Sequence, residues 1–119
     1  MKKLYRIRKN EEFSSIIGNR QSFANGSFVV YFHKKKEENS RAGISVSKKL
    51  GDAVDRNRIK RQVREMVRAI VDFDNCPLDF VIIVRKGYLN NEFLDNKNDL
   101  ENLIKKAIIK QYEKGEIHE

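Results

Sequence analysis

Cysteine is nearly missing from this chain. Cys76 is the single one among 119 residues, which excludes an internal disulfide framework and suits a reducing compartment, with a partly buried structural thiol as the default. Histidine is almost as scarce. His33 falls in a predicted strand and His118 in the carboxy-terminal tail, so neither a zinc site nor a Cys/His nucleophile pair is indicated. Tryptophan is absent, and the one proline, Pro77, sits beside Cys76 in a predicted loop. No window approaches the roughly 18 apolar residues that would span a membrane. The amino terminus, Met1-Lys-Lys-Leu-Tyr-Arg-Ile-Arg-Lys9, is basic without the apolar stretch of a secretory signal, so it is expected to be retained. There are also no paired carboxylates in a cleft motif, no His/Asp relay and no metal-ligand spacing that would let this chain hydrolyse a phosphodiester alone.

What the chain has is positive charge. Lys and Arg number 25 against 17 Asp and Glu, a net +8 with an isoelectric point near 9.7, which favours phosphate-rich partners. On charge alone RNA, DNA and an anionic membrane all remain open. The charge is concentrated in residues 51–65, where Arg56, Arg58, Lys60, Arg61 and Arg64 fall within nine positions. Placed on a helix at about 100° per residue, Ile59, Val63, Met66, Val67 and Ile70 make one stripe, and Asn57, Lys60, Arg61, Arg64 and Arg68 lie opposite. Five like charges repel one another, and exposed ion pairs stabilise by at most about 1 kcal/mol each. A solvated face usually mixes both signs, whereas only Asp55 and Glu65 interrupt this one. A polyanion is therefore the better reason for it, although Arg56, near the edge of the apolar stripe, could simply bond a neighbouring carbonyl.

At this length one domain with a two-layer core is expected over 1–119, with no linker. A short helix over 10–18 is predicted, capped by Asn10, with Glu11 and Glu12 in its first turn and Phe13, Ile16 and Ile17 at helical spacing. Residues 27–34 alternate as a strand, Phe28, Val30 and Phe32 facing one way. Residues 41–48 read as another, with Ile44 and Val46 on one face and small Gly43, Ser45 and Ser47 on the other, leaving room for something to approach. The basic helix starts at Gly51 and Asp52 and runs to about residue 71. Residues 80–84 are apolar without alternation, the mark of a strand covered on both sides at the middle of a sheet. A last helix over about 91–113 places Leu100, Leu103, Ile104, Ala107 and Ile108 on a core stripe. The order is helix, two strands (three if 24–31 hides a break), helix, strand, helix. That pattern is an α/β two-layer sandwich with a mixed sheet containing one βαβ unit, for which the general rule predicts a right-handed crossover.

The segment Gly43-Ile-Ser-Val-Ser-Lys-Lys-Leu-Gly-Asp-Ala-Val-Asp-Arg-Asn-Arg-Ile-Lys-Arg-Gln-Val-Arg-Glu65 closely resembles the signature of the bacterial ribonuclease P protein family, with its RNR box at Arg56-Asn57-Arg58. Arg8-Lys-Asn-Glu-Glu-Phe13, Phe28-Val-Val-Tyr31 and Val84-Arg-Lys86 resemble that family's first helix, first strand region and the end of its central strand. The resemblance runs through nearly the whole chain in the right order. It implies an α+β fold, a mixed four-stranded sheet with three helices, similar to the second domain of a small-subunit ribosomal protein. It also implies a left-handed βαβ crossover, which is adopted here over the general rule.

The resemblance further implies that a large RNA is the catalyst. That RNA binds the magnesium ions and removes the 5′ leader from precursor tRNA in the cytoplasm, while the protein raises substrate affinity and helps metal binding. Lys48, Lys49, Arg56, Asn57, Arg58, Lys60, Arg61, Arg64 and Arg68 are then expected to contact the RNA subunit. Phe13, Ile17 and Tyr31 are expected to line a leader cleft between the first helix and the sheet, with Arg85 and Lys86 at its mouth; Ile17 stands where the family often has an aromatic, so apolar contact replaces stacking there. By periodicity alone, Phe13 and Ile17 are core-facing helix residues. Residues 1–9 are either a mobile basic arm or a fixed contact surface, and 114–119 a tail. Two other functions share the charge: a non-catalytic, ribosome-associated RNA-binding protein, and a DNA-binding module, which lacks a helix-turn-helix partner or dimer heptad. Neither membrane nor DNA is expected as a partner.

Overall fold

A computed structural model of the chain describes residues 1–113; the tail expected over 114–119, with His118, lies outside the described residues. Seven elements follow one another: α1 (Asn10–Gly18), β1 (Ser22–Ala24), β2 (Phe28–Lys34), β3 (Ala42–Val46), α2 (Ala53–Ile70), β4 (Leu78–Val84) and α3 (Phe93–Glu113). The four strands form one mixed sheet in the order β1-β2-β4-β3. β2 pairs antiparallel with β1 and β4, while β3 and β4 run parallel and are joined through α2. β4 is central and buried along nearly its whole length, as its unbroken apolar run requires.

The register sorts the side chains onto two faces. Phe28, Val30 and Phe32 lie opposite Val84, Ile82 and Phe80, which in turn flank Val46, Ile44 and Ala42. This face packs against Ile59, Val63, Met66 and Val67 of α2 and Leu100, Leu103, Ile104 and Ala107 of α3. Full burial of each such aliphatic or aromatic side chain contributes roughly 1.5–3 kcal/mol, so this two-layer contact is the main source of stability. On the other face α1 lies across the middle strands, with Ile16 and Val81 buried and Phe13, Ile17, Tyr31 and Ile83 packed around them.

Several local details differ from expectation. β1 is a strand of three residues, too short to show a period. Asn25 and Gly26 follow it, and the Asn25 side-chain oxygen accepts the backbone N–H groups of Ser27 and Phe28, which turns the chain into β2. Asn10 is the first residue of α1 rather than its cap; Lys9 occupies the cap position and makes no side-chain bond there. Asp52 does cap α2, accepting the N–H of Asp55 at 2.9 Å. Gly51 before it has φ +143°, and a Cβ there would lie 2.7 Å from the Asp55 Cβ, so only glycine fits.

The amino-terminal segment is fastened to the domain. Tyr5 stacks on Phe73 at 4.6 Å and its hydroxyl donates to Asp74. Ile7 is buried and its N–H donates to the Ala42 carbonyl, with Arg6 bridged to β3. Cys76 is buried, and burial pushes its thiol above the ordinary value. Among the described residues no helix is long and apolar enough to cross a membrane.

Candidate nucleic-acid interface

α2 stands on its buried stripe of Ile59, Val63, Met66 and Val67, which turns its cations outward, but not equally. Lys48 and Lys49, in the short 3₁₀ turn before the helix, are exposed, as are Asn57, Arg58, Arg61 and Arg68; Arg56, Lys60 and Arg64 are half-buried. Arg58 forms an ion pair with Asp55 at 3.5 Å. Arg56 Nε donates to the Asp52 carbonyl at 3.3 Å, so this arginine does bond the start of its own helix. Arg64 lies against the amino-terminal segment, where burial pushes its pKa down and the charge of Arg6 pushes it the same way.

Between α1 and the sheet edge runs a groove of about 370 Å³. Phe13 and Ile17 line it from one side, Ser45 and Val46 of β3 from the other, and Lys60 of α2 closes it. Phe13 also borders a second hollow, where Arg6, Arg8 and Arg64 converge. The room left by the small residues of β3 is thus partly taken by the protein itself. A Cβ on Gly43 would lie 2.5 Å from the tip of the Phe13 ring, so that ring rests directly on the glycine backbone.

Of the residues expected in a cleft, the structure brings Phe13 and Ile17 to the groove. Both are half-buried, each sharing its surface between the small core under α1 and the open side. Tyr31 belongs to the same core on β2 and does not line the groove. Arg85 and Lys86 follow the end of β4, outside its lining, and the Arg85 guanidinium donates to the Asn25 carbonyl at 2.9 Å.

A charge cluster beneath α1 escaped the sequence reading. Arg41 Nη1 meets Glu12 Oε2 at 2.8 Å, and its Nη2 lies 3.7 Å from Asp79. Asp79 is buried, and burial pushes its carboxyl above the ordinary value against the pull of the Arg41 N–H and guanidinium and the Lys36 N–H. Burial also works against the charge on Arg41, but the bond to Glu12 and the charge of Asp79 outweigh it and hold the guanidinium above its usual pKa. The available signal was Asp79 itself, a carboxylate inside an otherwise apolar strand, which is rarely buried without a partner.

The Ribonuclease P family model matches residues 1–108. The chain is 42% identical over 115 residues to the ribonuclease P protein component of Bacillus cereus strain AH187, covering 96% of this chain and all of that one. It is 44% identical over 106 residues to that of Listeria welshimeri, covering 88% and 89%. The ribonuclease P protein of Staphylococcus aureus superposes with a TM-score of 0.76 at 40% identity, covering 87% of this chain and 94% of that one. That of Thermotoga maritima gives 0.72 at 34% identity, covering 85% and 96%.

Proposed function

The chain belongs to the ribonuclease P protein family, and on that premise we propose that α2 docks it onto the ribonuclease P RNA while the groove beside α1 takes the 5′ leader of precursor tRNA. The observation that carries this division is the sorting of cations on α2. Lys48, Lys49, Asn57, Arg58, Arg61 and Arg68 are exposed to solvent, Arg58 beside its ion-pair partner Asp55, and there guanidinium groups can grip backbone phosphates through two parallel donors. Lys60 instead closes the groove that Phe13 and Ile17 line. A single strand lying there would set its bases on the apolar wall, Phe13 by stacking and Ile17 by contact, with a phosphate near the Lys60 ammonium.

In this reading the RNA subunit performs the cleavage and holds the magnesium. This chain's part in it consists of binding and orienting RNA. Similarity to named ribonuclease P protein components, over almost the full length, supports this role over a ribosome-associated one.

The deciding experiment combines the purified protein with a bacterial ribonuclease P RNA at low magnesium and follows precursor tRNA cleavage. Stimulation by the protein, with no cleavage by the protein alone, is expected; absence of stimulation overturns the proposal.

A further inference from the structure

α1 has little of its own to hold it in place. It is nine residues long, below the length at which an isolated helix is stable in water, and it lacks a side-chain cap. It buries one residue, Ile16. Yet its Phe13 must sit over Gly43 with no slack, since even a Cβ there would collide with the ring. An apolar contact of this kind is non-directional and would allow the helix to slide or tilt.

Two polar contacts supply direction: an exposed bond from Lys36 Nζ to Ser15 Oγ at 3.3 Å and, more shielded from water, the Glu12–Arg41–Asp79 chain. Asp79 accepts the backbone N–H of Arg41 at 2.9 Å and that of Lys36 at 3.4 Å, fastening the start of β3 and the connection before it to the central strand. Arg41 then reaches up to Glu12 on the helix. The arginine and glutamate side chains are 12% and 27% exposed, so water screens the pair less than it would a surface pair. Among the described residues it is the one ion pair joining α1 to the sheet. Its two ends stand next to the contact that matters: Glu12 adjoins Phe13, and Arg41 is two residues before Gly43.

We propose that Glu12 and Arg41, anchored by Asp79, are positioning residues for the leader: they set α1 over the sheet so that Phe13 shapes the groove, while touching no RNA themselves. The inference rests on the reading of that groove as the leader site. A Glu12→Ala protein keeps the core and all of α2, so it docks on the RNA subunit normally but presents a loosened groove.

The test uses holoenzyme reconstituted with Glu12→Ala and, as a milder variant that keeps the shape and loses the charge, Glu12→Gln. Affinity is measured for precursor tRNA with a long leader and for mature tRNA. Roughly tenfold weaker binding of the precursor is expected for Glu12→Ala, with mature tRNA and RNA-subunit affinity unchanged. Glu12→Gln falls between it and the parent, and Phe13→Leu added to Glu12→Ala costs less than Phe13→Leu alone. A merely structural pair would lower the melting temperature of both variants and leave the binding of precursor and of mature tRNA as in the parent, which overturns the inference. If Phe13→Leu and Ile17→Ala also leave leader dependence intact, the groove reading itself falls; if they abolish it while the Glu12 variants do not, only the positioning role falls.

Discussion

α2 and the α1 groove present RNA with opposite kinds of surface. The exposed face of α2 offers flexible cations, and their attraction to phosphate acts over about 8 to 10 Å at physiological salt. The groove offers an aromatic ring resting on a glycine backbone and an isoleucine, whose contacts lose about a quarter to a half of their attraction over a gap of roughly 0.5–1 Å. A long-range surface tolerates small errors of placement and is sensitive to salt; a short-range one depends less on salt, here through Lys60 alone, and is intolerant of misplacement. The rigid scaffolding lies accordingly under the groove, where Asp79, Arg41 and Glu12 link three elements.

The largest effect should come from breaking the groove from below. Gly43→Val forces its side chain into the Phe13 ring, and overpacking of this kind costs about 3 kcal/mol. Denaturant unfolding should show that loss, and the folded fraction should bind precursor and mature tRNA alike; an unshifted midpoint would show that α1 can lift freely. Next is the charged surface. Arg58→Ala combined with Arg61→Ala should weaken RNA-subunit binding and reduce the log–log salt slope by roughly 1.4 to 1.8, at about 0.7 to 0.9 per lost phosphate contact. Salt titration of binding measures this, and an unchanged slope would remove these residues from the interface. Tyr31→Ala should act more weakly on precursors with long leaders, because Tyr31 supports α1 from the core instead of lining the groove. Equal loss for mature tRNA would count against the leader site.

The smallest effect lies away from the groove, in the core beneath α2. The Tyr88 hydroxyl donates to Gln62 of α2 at 2.8 Å, and burial pushes its pKa up to about 12. Below the ordinary tyrosine value of 10.0 the phenol is neutral in both folded and unfolded chains. Between there and about 12 only the unfolded chain ionises, so stability should fall as the pH rises through that window. Tyr88→Phe should flatten this alkaline loss, and an unchanged pH dependence in thermal melts would refute the assignment.

Much of this was legible in one dimension because periodicity reports which face of an element is buried. The stripe from Ile59 to Val67, the alternation of Phe28, Val30 and Phe32 and the unbroken run into Val84 each imply their layer. β1 was not legible, since three residues carry no period, nor was the anchoring of Tyr5 and Ile7 by Phe73 and Ala42, which depends on distant residues. Tyr31, Arg85 and Lys86 carried the right chemistry for a cleft, yet Tyr31 sits in the core under α1, and Arg85, bonded to Asn25, and Lys86 follow the end of β4 outside the lining of the groove.

By itself the sequence determined the elements other than β1, the sheet's central strand and the existence of a cationic helix, because local spacing and composition suffice for these. The tertiary structure decided which cations face solvent and which close the groove, and that Glu12, Arg41 and Asp79 meet at all. The reason is physical: ion pairs and ring contacts act over a few ångströms between residues tens of positions apart, and only the folded packing of β3 beside β4 beneath α1 brings them within reach.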